Sequence, residues 1–256
     1  MMLEIQDLSM QFERDGQPVH VLDRISLTVR KGEFVSVIGP SGSGKSTLFH
    51  LIGGLYRPTS GAIRIDGRET TGERGHISYM PQHNSLFPWL TIEQNVLLAR
   101  EVAGRPKERT EDDSRREARE WLRRVGLAGC ERAYPHQLSG GMQQRAAFVR
   151  ALLSPRELMC LDEPFGALDA LTRHDMQQWL LRLWEEHQRT ILFVTHSIEE
   201  ALLLSDRIYV LSARPAAVLR EITVPYGRPR PERVTADPAF QALRLEIHDL
   251  LRPNLY

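Results

Sequence analysis

The 256-residue chain has no long hydrophobic run and no excess of charge of either sign. Without about 18 consecutive apolar residues, the sequence offers no candidate for a bilayer-spanning helix. Lys plus Arg and Asp plus Glu each number 33, and this balance argues against nucleic acid as a partner, because nucleic-acid binders usually carry a basic excess. Any role at a membrane is therefore expected to come through a partner protein.

The chain also has only two cysteines, Cys130 and Cys160, and they form no CxxC pattern. This argues against a disulfide framework and favours a reduced, cytoplasmic setting. Cys160 lies in an apolar run and is expected to be a small core residue. The N-terminal segment has no basic region followed by an apolar stretch, so no secretory signal is expected there.

Strand patterns and helix patterns alternate along the chain, which predicts an α/β protein. Strands are predicted at 25–29, 34–38, 63–65, 76–80, 158–161, 191–194 and 207–211, the last of these being the final strand. Helices are predicted at 115–125, 139–153, 169–187, 201–204 and 238–251. Such alternation favours a mostly parallel sheet that is covered on both faces.

The expected division is a cassette over residues 1–213, with a helical insertion at about 83–156, and a tail over 214–256. Thr91 and Gln94 form a capping-box pattern at the start of the insertion. The tail is rich in Pro and Arg and ends in a predicted helix. Its Phe240, Leu243 and Ile247 fall at helical spacing, so this helix is expected to pack on the cassette.

Residues 39–46 match the phosphate-binding pattern G-x-x-x-x-G-K-[ST], between a buried strand and a helix. Glycines let backbone N–H groups close around phosphate oxygens, and the helix N-terminus adds a favourable dipole. Lys45 is predicted to give its charge to the β- and γ-phosphates, and the Ser46 hydroxyl to ligate Mg²⁺. The nucleotide-binding residues predicted here are Gly39, Pro40, Ser41, Gly42, Ser43, Gly44, Lys45, Ser46 and Thr47.

The apolar strand at 158–161 ends in two acids, Asp162 and Glu163. Asp162 is predicted to reach Mg²⁺, and Glu163 to polarise the attacking water. Hydrolysis needs this pairing of a metal that spreads charge with a base that orients the nucleophile. Alone, such acids would more often be solvated, and it is the phosphate loop that favours the catalytic interpretation. A kinase, a GTPase or a motor protein would still fit.

Residues 138–145, L-S-G-G-M-Q-Q-R, resemble the LSGGQ signature of ATP-binding-cassette (ABC) ATPases, and they precede the acidic strand as in that family. The small residues Ser139, Gly140 and Gly141 open a helix and so make a second anion site. The resemblance implies that this site serves the nucleotide of a partner subunit. It also implies a P-loop NTPase (RecA-like) core with an antiparallel β subdomain and an inserted α-helical subdomain.

Other positions match the same family one by one. Gln82 resembles the Q-loop glutamine, which contacts metal and water, and Asp169 resembles the D-loop residue that crosses the dimer interface. His196 resembles the switch histidine at the γ-phosphate. Phe12 resembles the aromatic residue that stacks on adenine, although a core role for it stays open. The resemblance thus implies Glu163, His196 and Gln82 as catalytic residues and Ser46, Gln82 and Asp162 as magnesium ligands.

This chain departs from the family pattern at a few positions. Met142 replaces the signature glutamine, Gly166 replaces the more usual serine before the D-loop, and Ser197 follows the histidine where aspartate is common. Ser and Asp both cap helices, so the last change should be nearly silent. None of these departures touches a predicted phosphate or metal contact.

Three further segments resemble the nitrate/sulfonate/taurine importer group, at 85–91, 199–201 and 212–215. The resemblance implies an ATP hydrolase that uses ATP and Mg²⁺, pairs with a second cassette subunit, expected to be an identical copy, and drives a membrane permease. A solute-binding protein is the indirect partner, and the expected location is the cytoplasmic face of the inner membrane. The solute is expected to be a small anion such as a sulfonate, taurine or nitrate, with thiamine-precursor or riboflavin uptake as the alternative.

The aromatic residues within 87–90 have two interpretations. They form a groove for a permease helix, or they plug the space between lobes. Three rival functions fit the sequence less well than a transporter subunit does. A soluble ABC protein of translation or DNA repair would usually carry two cassettes or a long coiled coil, and a small-molecule kinase would not need the signature. An inactive regulatory cassette would not need Glu163 and His196.

Overall fold

The computed structural model describes residues 1–83, 85–103, 110–228, 230 and 232–252. The chain forms two compact units. The split unit comprises Met1–Ile77 and Gln188–Tyr256, and the inserted unit comprises Ser78–His187. Parts of the predicted helical insertion and of the predicted tail, including Pro229 and Pro231, lie outside the described residues, and the domain boundaries given above stay predictions.

Strands and helices alternate along the chain. The strands are β1 (Leu3–Arg14), β2 (Gln17–Val29), β3 (Phe34–Ile38), β4 (Ser60–Ile65), β5 (Arg68–Glu69), β6 (Ser78–Met80), β7 (Leu158–Asp162), β8 (Thr190–Thr195), β9 (Arg207–Leu211) and β10 (Val218–Thr223). The helices are α1 (Lys45–Ile52), α2 (Ile92–Ala103), α3 (Glu111–Arg124), α4 (Gly140–Leu153), α5 (Ala170–His187), α6 (Ile198–Leu204) and α7 (Pro238–Leu251). Within the described part of the chain, no helix is both long and apolar enough to cross a bilayer.

An antiparallel sheet in the order β2-β1-β4-β5 forms one layer of the split unit. Strands β1 and β2 make a hairpin in which Arg14 pairs with Gln17, which leaves the two-residue turn Asp15-Gly16. Both turn residues have positive φ, at 53° and 73°. Asp-Gly is the sequence that a type I′ turn favours, because this turn needs positive φ at both central positions. The turn therefore sets the register as far as the Gln11–His20 pair, beyond which the register shifts.

The second sheet of the split unit is centred on β3, whose five residues are all buried. Strands β8 and β9 pair with β3 on either side in parallel, and β10 pairs with β9 in antiparallel orientation. The prediction that 207–211 is the final strand is therefore wrong. Of the residues in β10 only Ile222 is buried, so the alternating apolar pattern of a half-buried strand is absent from its sequence.

In the inserted unit, β6 and β7 pair in parallel and the remaining described elements are helical. The capping box before α2 is confirmed, since the Thr91 hydroxyl accepts from the Gln94 N–H at 3.3 Å and the Gln94 side chain accepts from the Thr91 N–H at 2.8 Å. Helix α4 begins where the signature pattern predicted it, directly after Ser139.

The C-terminal helix α7 packs on the rest of the split unit, as its spacing predicted. Phe240 and Ile247 are fully buried, and Leu243 is partly buried, in a cluster with Ala201 and Leu202 of α6 and with apolar residues of β9 and β10. Burial of such side chains is the main source of stability for a surface helix. The tail is therefore part of the folded core of this unit.

Replacing Phe240 by Ala is expected to lower the free energy of unfolding by about 3–5 kcal/mol, because a buried aromatic ring is lost and a cavity remains. Leu245→Ala on the same helix is the matched control, since Leu245 is 55 % exposed. Urea unfolding followed by circular dichroism measures both changes. Equal effects of the two substitutions would show that α7 is not docked as described.

Candidate functional site

The phosphate loop between β3 and α1 is shaped by direct packing against β2. Gly44 precedes the first residue of α1 and has a φ of 111°. A Cβ built on Gly44 would lie 2.9 Å from both Val21 Cγ1 and Leu22 Cδ2, closer than real Cβ contacts come. Only glycine fits this backbone, so the loop is held in one shape by the hairpin beneath it.

Lys45 and Ser43 carry the polar chemistry of this loop. Lys45 is only 6 % exposed, and its Nζ donates to the carbonyl oxygens of Gly39 and Pro40, at 2.8 Å each. The Ser43 hydroxyl is buried and has no hydrogen-bond partner among the described residues. Leaving a buried hydroxyl unsatisfied costs free energy, which binding of a phosphate oxygen would recover. The loop therefore fits an oxyanion at the N-terminus of α1.

Phe12 lies in a small aromatic cluster near the surface of the split unit. Its half-buried ring meets Tyr56 edge to face at 5.5 Å, and Tyr56 meets His50 of α1 at 5.3 Å. The sequence did not single out Tyr56 or His50. This placement is compatible with a ring that borders a base, and the adenine contact of Phe12 stays a prediction.

The acidic end of β7 is buried beside β6. Asp162 is 2 % exposed. Tyr79 of β6 lies opposite Cys160, and burial, together with the nearby charge of Asp162, raises the pKa of the Tyr79 hydroxyl. Cys160 is fully buried, which confirms the prediction that it is a core residue, and this burial raises the pKa of its thiol.

Glu163 sits in a strained turn directly after β7 and contacts the predicted Q-loop glutamine. Its φ is +48°, unusual for a residue with a side chain. Gln82 Nε2 donates to Glu163 Oε2 at 3.1 Å, so the inserted unit brings these two predicted catalytic residues together. Strained backbone of this kind clusters at functional sites.

Gln144 of α4 was not assigned a role from the sequence, yet it organises this turn. Its Nε2 donates to the Glu163 carbonyl at 3.2 Å, and its Oε1 accepts from the Ala167 N–H at 3.0 Å. The side chain is almost fully buried. The sequence does not show whether a glutamine on a helix is buried or exposed. The role of Gln144 could therefore be recognised only from the structure.

The signature turn opens α4 in the manner of a capped helix. The Ser139 hydroxyl accepts from the Met142 N–H at 3.3 Å. Ser139 and Gly140 are exposed, and a Cβ on Gly140 would meet nothing within 4 Å. Gly141 is tighter, with Leu168 Cδ2 at 3.2 Å from such a Cβ. The turn thus presents small residues and free helix N–H groups to solvent.

Asp169 directly precedes α5 and is held by a hydrogen bond within its own chain. Its carboxylate accepts from the Thr172 N–H at 3.0 Å, and hydrogen bonds from Thr172 lower the pKa of the Asp169 carboxyl. The residue is exposed and ionised in this arrangement. Its predicted role across a dimer interface remains a prediction.

His196 is exposed in the turn between β8 and α6. The predicted cap is confirmed, since the Ser197 hydroxyl accepts from the Glu200 N–H at 3.3 Å. The Thr195 hydroxyl makes two further hydrogen bonds. It donates to Glu200 Oε2 at 2.5 Å and accepts from the Ser197 N–H at 3.0 Å. The backbone on both sides of His196 is thereby fixed.

The predicted site residues are divided between the units. The phosphate loop, Phe12 and His196 belong to the split unit. Gln82, the two acids at 162–163, the signature turn and Asp169 belong to the inserted unit. The two units contribute different functional groups to the predicted site residues. The split unit contributes backbone N–H, ammonium, hydroxyl and imidazole groups, and the inserted unit contributes three carboxylates, the Gln82 amide and the N–H groups of the signature turn.

The chain is similar in sequence to proteins of one known family. The sequence pattern of the ABC transporter family matches residues 22–166. The chain is 44 % identical to the taurine import ATP-binding protein of Pelagibacter ubique, over 87 % of this chain and 83 % of that one. It is 42 % identical to the nitrate import ATP-binding protein of Synechocystis sp., over 98 % and 96 %. Bicarbonate and aliphatic sulfonate transporters also have ATP-binding subunits at 40–42 % identity.

A solved structure shares the fold. It is the dimeric structure of a post-hydrolysis state of an ATP-binding cassette bound to ADP and Pi, with a TM-score of 0.80 and 32 % identity. The match covers 88 % of this chain and 100 % of that one. The predicted fold class, a P-loop NTPase core with an antiparallel β subdomain and an inserted helical subdomain, is confirmed.

Gly44→Ala is expected to weaken ATP binding by about tenfold or more, equivalent to about 1.4 kcal/mol, because the new Cβ must displace the loop or β2. Gly16→Ala in the hairpin turn is the control. Gly16 also has positive φ, at 73°, but a Cβ there would meet nothing within 4 Å. Titration with a fluorescent ATP analogue compares the two variants. Wild-type affinity in Gly44→Ala would contradict the described packing.

Proposed function

Because this chain belongs to the ABC transporter family and is an ATP-hydrolysing cassette, we propose that it energises the import of a small anion, as an ATP-driven dimer beneath a membrane permease. The observation that carries this proposal is the hydrogen bond from Gln82 to Glu163. Gln82 lies in the same loop region as the exposed aromatic residues Phe87 and Trp89. A transporter ATPase needs a structural connection between its hydrolytic base and the surface that docks on the permease, whereas a free-standing ATPase does not.

The proposed chemistry is transfer of the γ-phosphoryl group of ATP to water. Lys45 and the loop N–H groups hold the phosphates, and Glu163 orients the attacking water while Gln82 holds its carboxylate. His196 contacts the γ-phosphate, and Phe12 borders the adenine.

Magnesium is the proposed cofactor, with Ser46, Gln82 and Asp162 as its ligands. Hydroxyl, amide and carboxylate oxygens are the hard ligands that Mg²⁺ takes, and usually only one or two carboxylates are needed. Asp162 supplies a buried carboxylate at the end of β7. When bound, the ion neutralises charge on the phosphate oxygens.

We further propose that two copies pair head to tail. The exposed N-terminus of α4, with Ser139, Gly140 and Gly141, would then face the nucleotide held by the other copy, and Asp169 would cross the interface. A helix N-terminus with small residues favours an anion, and this one has none of its own chain's acids in its first turn. The solved structures of a related cassette are dimeric, which supports the pairing of two copies.

The loop that carries Phe87 and Trp89 is proposed as the permease contact. The Phe87 and Trp89 rings lie 5.3 Å apart, and Trp89 is 69 % exposed. Asn95 holds the loop rigid: its side chain accepts from the Phe87 N–H at 2.7 Å and donates to the carbonyls of Phe87 and Leu90. A fixed, exposed aromatic pair is typical of a docking surface and favours this interpretation over a plug.

The taurine, nitrate, sulfonate and bicarbonate relatives support a small anion as the solute. Selection of that anion is assigned to the permease and to a solute-binding protein, which are separate chains. The proposed location is the cytoplasmic face of the inner membrane, as a peripheral subunit.

Glu163→Gln is expected to lower ATP turnover by about 100-fold or more, since the base is lost, while ATP binding is kept. The same variant should accumulate as a dimer with ATP and Mg²⁺. Glu157→Gln is the control, an exposed carboxylate just before the other end of β7. Phosphate release and light scattering after gel filtration measure the two properties. Turnover of Glu163→Gln at the wild-type rate would refute the assignment of the base.

Trp89→Ala is expected to leave the turnover of the isolated chain unchanged and to reduce its stimulation by the permease by about tenfold, because an aromatic anchor is removed. The stimulation is measured with the permease in lipid vesicles. Val102→Ala, at a site that is 81 % exposed in the same unit, serves as the control. Full stimulation of Trp89→Ala would exclude this loop as the permease contact.

A further inference from the structure

The short helix α6 depends on the tail for its C-terminal end. A helix leaves its last four carbonyl groups without intrahelical partners. In α6 the Ala201 carbonyl accepts from the Ser205 N–H. The next three backbone carbonyls of the helix accept hydrogen bonds from two arginines of the tail. Arg230 Nη1 donates to Leu202 at 2.7 Å and to Leu203 at 3.1 Å, and Arg228 Nη2 donates to Leu204.

Arg230 is built into this position. It is only 6 % exposed, and its guanidinium also donates to the carbonyls of Ser205, at 2.8 Å, and Tyr226, at 3.1 Å. Burial, reinforced by the neighbouring charge of Arg228, lowers the pKa of Arg230 to about 10, so it stays charged at neutral pH. A buried cation at the C-terminus of a helix is favoured by the helix dipole.

The other end of α6 carries the turn that holds His196. Glu200, in the first turn of α6, is bonded through its N–H to Ser197 and through its carboxylate to Thr195. These two residues flank His196 on either side. With only seven residues, α6 is too short to be stable by itself, so its position depends on what holds it.

Helix α7 supports the body of α6 but leaves room at the turn. Phe240 and Ile247 pack with Ala201 and Leu202. Beside the turn, a cavity of about 390 Å³ is lined by His196 and Glu199 on one side and by Arg244 and His248 of α7 on the other. The tail thus supports α6 directly and borders the His196 turn across this cavity.

We propose that Arg230 is a positioning residue for His196: by fixing the C-terminal end of α6, it holds the histidine turn at the other end in the geometry needed for hydrolysis. This inference rests on the proposed role of His196 in hydrolysis. It assigns to the tail a function in turnover in addition to its packing.

The test measures kcat and KM for ATP in Arg230→Met, His196→Ala and the double variant, using single-turnover phosphate release where rates are low. Arg230→Met is expected to lower kcat by about tenfold or more, because small displacements of reacting groups are costly, with KM nearly unchanged. In the His196→Ala background the same substitution should have no further effect on kcat. Arg230→Lys, which keeps the charge, should recover part of the rate.

Arg220→Met is the control, because Arg220 is an exposed tail arginine that pairs with Glu246. It should retain wild-type kcat. Wild-type turnover in Arg230→Met, or an equal loss with and without His196, would overturn the proposal. If Arg230→Met is insoluble, Arg230→Lys replaces it in the same set of single and double variants with His196→Ala. Wild-type turnover, or an equal loss with and without His196, would again overturn the proposal. Wild-type turnover in His196→Ala would instead refute the proposed function of the histidine itself.

Discussion

The contact between Gly44 and strand β2 is the constraint on which nucleotide recognition depends. Val21 and Leu22 occupy the space that any Cβ at position 44 would need. The loop is therefore shaped before any phosphate arrives, and little of the binding free energy is lost to ordering it. The Asp15-Gly16 turn sets the register of the hairpin as far as the Gln11–His20 pair, and the register shifts at the next pair, where Val21 and Leu22 contact the phosphate loop. This gives the antiparallel sheet a role as the support of the loop.

The inserted unit is organised around the backbone and carboxylate of Glu163. Gln82 contacts the carboxylate, and Gln144 bonds the Glu163 carbonyl and the Ala167 N–H at once. Gln144 belongs to the helix that the signature turn opens, and Gln82 leads into the loop with Phe87 and Trp89. Two glutamines thus connect the proposed base to the proposed dimer contact on one side and to the proposed permease contact on the other. A structural change at either surface is therefore connected to Glu163 by a short path of covalent bonds and hydrogen bonds.

Much of the fold could be predicted from the sequence, because the local sequence patterns and the tertiary contacts favour the same helices and strands. The strand at 34–38, the cap at Ser197 and the helix over 238–251 follow from apolar runs, capping residues and helical spacing, and the structure has all of them. Strand β10 was missed because only one of its residues is buried, so its place comes from pairing with β9. The half-buried Arg228 and the buried Arg230 were also missed. In a Pro- and Arg-rich segment charged residues look solvated, and only the carbonyls of α6, distant in sequence, show what they bind.

The central claim is that one nucleotide site takes its phosphate loop from one copy and its signature turn from another. Mixing two inactive variants, Lys45→Ala and Ser139→Arg, tests it most directly. Each variant alone lacks one half of every site, whereas a mixed dimer has one site with both halves intact. The account predicts that the equimolar mixture regains ATP turnover that neither variant shows alone. Turnover of the mixture equal to the average of the two separate variants would contradict it.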